Sequence, residues 1–136
     1  MKRVYLSGAS AEIDLIESYR DRLHAEGFEV LDGWMLAIRK ARAAGLADAD
    51  LTRIECGRHA ENDLYDVAKS DVYWLLVPDN QSKGAWVDLG FALGDAHHAR
   101  SVVASGAFGS IFTFHPRVLR YDDHEQAFAA IVAESR

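Results

Sequence analysis

The stretch Asp71-Val-Tyr-Trp-Leu-Leu-Val77, closed by Pro78, constrains the fold of this chain more than any other. It is far shorter than the roughly 20 apolar residues of a membrane span. It also lacks the apolar–polar alternation of a strand with one wet face. A near-continuous apolar run of this length suits a strand covered on both faces, the situation of strands inside parallel sheets. Pro78 has no N–H to give a ladder and ends the strand.

The other segments supply what such a sheet requires. Arg3 to Ser7, running into Gly8, predicts a first strand. Ile13, Leu15, Ile16, Tyr19 and Leu23 recur at helical spacing between Ala11 and Glu26, with Ser10 as N-cap and Gly27 as stop. Phe28 to Leu31 predicts a second strand. Asp32-Gly33 opens a loop, helical composition follows from Trp34 to Ala44, and Gly45 breaks it. A further helix is expected over Asp50 to Lys69, burying Leu51, Ile54, Leu64, Val67 and Ala68, with Gly57 weakening it. After Pro78 the polar loop Asp79 to Lys83 leads to Gly84 and a helix through about His98. Val102 to Ala104 forms a fourth strand. Either Ile111 to Phe114 or the segment around Val118 forms a fifth, and a closing helix carries Phe128, Ile131 and Val132. This alternation predicts an α/β fold: a doubly wound, Rossmann-like or flavodoxin-like parallel sheet of about five strands.

At 136 residues, the chain is the length of one domain, residues 1–136, able to bury a core without disulfides or metals. The net charge of −6 opposes nucleic acid as a partner, because phosphate-backbone binding needs a Lys/Arg surplus. Cys56 is the single cysteine, so no internal disulfide forms. The opening Met-Lys-Arg-Val-Tyr-Leu enters a strand and lacks the apolar core of a signal peptide. A cytoplasmic protein with no membrane partner is expected.

In doubly wound sheets ligands bind beyond the carboxyl ends of the strands, where the strand order reverses. Three segments should meet there: Ser7-Gly8-Ala9-Ser10, Asp32-Gly33-Trp34-Met35, and the stretch from Ser82 to Gly94. Gly84, Gly90 and Gly94 permit close backbone approach. Asp88 falls in the first or second turn of its helix, where the macrodipole favours an ionised carboxylate. Such a group can attack an anomeric carbon or stabilise an oxocarbenium-like transition state. It can equally be an ordinary acid at a helix start.

The chain resembles the nucleoside 2-deoxyribosyltransferase family, which includes a branch of nucleotide N-hydrolases. The resemblance is carried by Val4-Tyr5-Leu6-Ser7-Gly8, by Asn62-Asp63-Leu64, by the strand from Asp71 to Pro78, and by Gly84-Ala85-Trp86-Val87-Asp88-Leu89-Gly90-Phe91-Ala92. It covers roughly the whole chain in order, and the last two elements carry most of its weight. The resemblance implies cleavage of the N-glycosidic bond of a (deoxy)nucleoside or nucleoside 5′-monophosphate. Hydrolysis and deoxyribosyl transfer to another base both remain open. It implies Asp88 as nucleophile, Asp63 positioning the sugar or handling the leaving base's proton, and Tyr5 hydrogen-bonded to the nucleophile. It implies no cofactor, and a homo-oligomer.

Two departures from the family's pattern matter. The family usually carries Glu where this chain has Asp88, one methylene shorter, and a misplacement of about 1 Å can cost on the order of 100-fold in rate. Six residues before the nucleophile, where enzymes acting on free nucleosides tend to carry an acid, stands Ser82, followed by Lys83 and Gly84. A hydroxyl, a cation and free backbone N–H groups suit a 5′-phosphate; an ordinary N-cap serine beside a surface lysine explains them equally.

Lesser signals divide the same way. Ser7 and Gly8 belong to the small-residue turn expected to line the substrate pocket. Trp34 and Met35 either stack on a base or pack in the core or an interface. The loop Ser105 to Ser110 either reaches a phosphate or simply connects. Asp95, His97 and His98 lack a suitably spaced third ligand, so no metal site is expected. Cys56 reads as an inert, partly buried thiol, and Arg39, Lys40 and Arg42 as a basic stretch that either meets an anionic substrate or faces solvent. A rival from another class is a non-catalytic nucleotide-binding or sensor domain on the same scaffold.

Overall fold

β3 (Val72–Leu76) is buried at every residue and lies in the middle of the sheet, as its apolar run requires. The structure, a computed structural model, describes residues 2–79, 82–95 and 99–135. Around β3 stand β1 (Arg3–Ser7), β2 (Glu29–Val30), β4 (Ser101–Ser105) and β5 (Val118–Tyr121). The five strands are parallel in the order β2-β1-β3-β4-β5. This is the doubly wound, flavodoxin-like arrangement, and its order reverses between β1 and β3.

The helices are α1 (Ile13–Ala25), α2 (Gly33–Ala43), α3 (Arg53–Lys69), α4 (Lys83–Gly94) and α5 (His124–Glu134). Strand alternation sorts the core into two layers. Val4, Leu6, Val72, Trp74 and Leu76 pack with Ile16 and Leu23 of α1 and Ile131 of α5. Tyr5, Tyr73 and Leu75 face the other way, against Val67 of α3 and Ala85, Leu89 and Ala92 of α4. Among the described residues no helix is long and apolar enough to cross a membrane.

Several boundaries differ from expectation, each for a local reason. Ser10 opens a 3-10 turn, Ser10–Glu12, instead of capping α1. Gly27 does stop α1, with a φ of 91° that favours glycine and a Phe28 N–H bond back to the Leu23 carbonyl. α3 starts at Arg53, where Thr52 and Glu55 form a reciprocal capping box. Its expected buried side holds towards its C-terminal end, where Val67 is buried and Leu64 and Ala68 are partly so, whereas Ile54 is 75% exposed and the partly buried Leu51 precedes the helix. A helix of 17 residues runs about 25 Å, whereas a five-residue strand covers about 17 Å. The N-terminal half of α3 therefore overhangs the sheet. Of the two candidates for the fifth strand, Val118–Tyr121 pairs with β4, and Ile111–Phe114 is a 3-10 turn.

Candidate active site

β1 presents alternate residues to the α3/α4 face, so Tyr5 and Ser7 point together at the helix that crosses above them. Asp88, in the second turn of α4, meets both: the Tyr5 hydroxyl donates to its Oδ2 at 3.1 Å and the Ser7 hydroxyl to the same oxygen at 3.3 Å. The neighbouring strand holds the helix in place. Tyr73 pairs with Tyr5 in register, stacks on its ring at 5.9 Å, and donates from its hydroxyl to the Ala85 carbonyl in the first turn of α4. These contacts lie at the C-terminal end of β1, beside the reversal point.

Asp63 comes from α3, which packs alongside α4. It lines a cavity of about 180 Å³ with Ala60, Leu64, Gly84, Val87 and Asp88. The two acids far apart in sequence thus share one cleft.

Burial pushes the Asp88 carboxyl up to about 7, with the charge of Asp63 adding to the shift and the Tyr5 and Ser7 hydroxyls opposing it. A helix start favours an ionised carboxylate, but Asp88 lies in the second turn of α4, past the first turn where the dipole acts most strongly, and burial is the largest cause of its shift. Asp63 is raised to about 6, chiefly by burial, with His59 lowering it and Asp66 raising it. Tyr5 is held well above its usual value by burial and by the carboxylates of Asp88 and Asp63, so its hydroxyl keeps its proton and donates.

The other expected site residues fall in three groups. Ser82 is the N-cap of α4, but its side chain makes no capping bond; Lys83 and Gly84 are exposed at the same helix start. Gly84 lines the cavity, while Gly84, Gly90 and Gly94 meet no close neighbour among the described residues, so close approach is not what they provide within this chain. Gly8 lies tight against the Ile16 side chain and the Leu76 carbonyl, a packing position in the β1 turn. Ser7 is buried with its hydroxyl turned to Asp88.

Trp34 has an anchoring role that its sequence position did not disclose. β2 stops at Val30 and the Leu31 N–H takes the Val4 carbonyl, leaving the next carbonyl on that edge, Leu6, without a strand partner. The Trp34 indole N–H donates to it at 2.8 Å. Met35 is fully buried in the core and offers no wall to a ligand.

The remaining signals have structural partners. The 105–110 loop packs through Gly109 against Val77 and Trp86. Asp95 pairs with the buried Arg100, whereas His97 and His98 lie outside the described residues; among those described, no cluster suits a metal ion. Cys56 is exposed, contrary to expectation, because it rides on the overhanging half of α3. Arg39 binds Glu17 and Asp14, and Arg42 donates to the Ser10 carbonyl, so this basic stretch fastens α2 to α1 and its preceding turn. On the opposite face of the sheet, Ser105 accepts from the Trp74 indole and bonds His124, a partly buried polar chain that sequence spacing gave no means to find.

The fold and site together define a doubly wound α/β protein with paired, desolvated carboxylates at its switch point. Compared with known proteins, the chain matches no family model and no curated sequence.

Proposed function

We propose that this protein cleaves the N-glycosidic bond of a nucleoside or nucleoside 5′-monophosphate, with Asp88 acting at the anomeric carbon and Asp63 at the leaving base. The observation that carries the reading is that Asp63 and Asp88, 25 positions apart in the numbering, line one small cavity and both hold protons more tightly than ordinary aspartates. Paired carboxylates are the equipment of glycoside cleavage, one ionised at the sugar and one protonated at the leaving group. In the free protein Asp88 holds its proton more tightly than Asp63, so the reactive form is the minor tautomer, in which the proton sits on Asp63. The resemblance drawn from the sequence supports the same roles.

In the reaction, an ionised Asp88 oxygen bonds to C1′ as the C1′–N bond breaks. The bonding pair stays on the base, which takes the proton of Asp63. Water then adds to C1′, giving its proton to Asp63 and releasing Asp88, which completes a hydrolysis. If a second base adds instead, the sugar is transferred. The cavity of about 180 Å³ is smaller than the roughly 300–1,000 Å³ of pockets that enclose whole ligands, so it suits the sugar, with the base left outside. Ser82 and Lys83 at the start of α4 are the candidates to meet a 5′-phosphate.

The test is incubation with a panel of nucleosides and 5′-monophosphates, with and without added free base, followed by mass spectrometry. Base release without acceptor identifies a hydrolase and base exchange a transferase; both must vanish in Asp88→Ala. Saturable nucleotide binding with no turnover over long incubation overturns the catalytic reading in favour of a sensor.

A further inference from the structure

We infer that Ser7 is a positioning residue for Asp88: its buried hydroxyl, with that of Tyr5, holds Oδ2 and leaves Oδ1 as the oxygen presented to the cavity. The assignment of Oδ1 as the reacting oxygen rests on the glycosidic reading; the grip on the carboxylate does not.

The grip follows from strand geometry. Residues two apart on a strand share a face, so Tyr5 and Ser7 stand side by side beneath α4. Both are 1% exposed, which leaves their hydroxyls without solvent as an alternative partner. Each hydroxyl has one proton to give, and both stand within hydrogen-bond distance of the same carboxylate oxygen, Oδ2, at 3.1 and 3.3 Å, with the Tyr73 hydroxyl as the other neighbour of Ser7. Oδ1 has no hydrogen-bond donor among the described residues. Two donors on one oxygen fix the rotation of the carboxyl group about its last torsion, which is otherwise broad for aspartate.

The carboxylate of Asp88 lies within hydrogen-bond reach of a side chain as small as serine, so α4 passes close above β1 at this point. The Tyr73 bond to the Ala85 carbonyl holds the start of α4 at that height. Rigid placement within a fraction of an ångström is what the attacking atom needs.

The grip also has an electrostatic consequence. The groups facing Asp88 from the packed elements are Tyr5 and Ser7 of β1, Tyr73 of β3 and Asp63 of α3, and of these only Asp63 ionises near neutrality. The two hydroxyl donors are therefore what offsets the burial of an ionised Asp88, and losing Ser7 moves the carboxyl further toward its protonated form.

The experiment is a carboxyl-carbon NMR titration of the aspartate-labelled full chain as wild type, Ser7→Ala, Ser7→Cys and Tyr5→Phe, paired with steady-state kinetics on whichever substrate the panel identifies. Asp88 should titrate higher in Ser7→Ala, with Ser7→Cys between it and wild type because a thiol is a weak donor. The acid limb of the rate profile should rise with it. We expect kcat to fall on the order of tenfold while KM stays within about twofold. A folded Ser7→Ala that titrates like wild type, or that raises KM at constant kcat, overturns the inference. If Ser7→Ala does not fold, the near-isosteric Ser7→Cys decides the matter by the same titration. If wild type turns over no substrate, the glycosidic reading fails, and the titration still tests the grip.

Discussion

Asp63 on α3 and Asp88 on α4 face one cavity, and the charge of Asp63 adds to the burial that raises Asp88 to about 7. Because the two interact, they lose protons as a pair, and the working state holds one proton between them. Activity should therefore peak in a narrow band around pH 6–7, bounded below by protonation of both acids and above by loss of the shared proton. Asp63→Asn removes the nearby negative charge, so Asp88 should titrate lower, though burial keeps it above an ordinary aspartate. The variant should also lose about 100-fold or more in kcat, the usual contribution of a positioned proton donor. A pH–rate series on both proteins checks this; flanks that do not move in Asp63→Asn would show that the acids act independently.

Asp88→Asn should be the more stable protein at alkaline pH. Burial pushes the folded Asp88 carboxyl up to about 7, from an ordinary value of 3.8. Between about pH 4 and 7 the native state thus keeps a proton that the unfolded chain releases, and wild-type stability declines as pH rises through that window. Asparagine carries no such burden, and its carbonyl oxygen can still accept from Tyr5 and Ser7. Its melting temperature should match wild type near pH 4 and exceed it by a few degrees at pH 8, while activity is lost. Thermal melts at the two pH values decide it; a gap that does not grow with pH counts against a buried, charge-averse Asp88.

Trp34→Phe distinguishes an anchor from a base-stacking platform. Phenylalanine keeps a six-membered aromatic ring and loses the pyrrole portion of the indole, with the N–H that satisfies the Leu6 carbonyl. Leaving that acceptor unpaired should destabilise the fold by about 1–3 kcal/mol, with KM little changed, as read by urea denaturation and kinetics. The reverse pattern, unchanged stability and a large rise in KM, would make Trp34 a substrate contact.

The parallel sheet was legible because its signals are local. The apolar run of β3, the punctuation at Gly27 and Gly45, and the helical spacing of Ile13, Ile16 and Leu23 depend on nothing distant. The errors arose where the outcome depends on relative lengths or on the sum of opposing forces. Ile54 fits a helical apolar stripe, yet α3 is longer than the sheet is deep, and periodicity cannot report an overhang. Asp88 was placed correctly near a helix start, but the balance between dipole and desolvation turns on how deeply α4 sits. The Ser7 contact is an intermediate case: its two-residue spacing from Tyr5 was visible, whereas the arrival of Asp88 above both is a fact of tertiary packing. Thr52 and Glu55 carry a capping signature that marks the start of α3 in the sequence itself.

Gly109→Ala should be costly, because the loop after β4 is wedged in place. Gly109 has a φ of 69°, in the left-handed region where a side chain is disfavoured. A methyl group there would lie 2.5 Å from Val77 Cγ1 and 2.8 Å from the Trp86 ring. Trp86 lies on α4 two residues before Asp88, so relief of the clash requires either the loop to lift or the indole to shift beside the acid. Strain of this kind typically costs on the order of 1–3 kcal/mol. We expect a lower melting temperature and a change in Trp86 fluorescence, with Gly45→Ala as the control: its φ of 72° imposes the same backbone strain, but it has no neighbour within 4 Å. If both substitutions destabilise equally, backbone strain alone accounts for the loss, and the 105–110 loop does not press on α4.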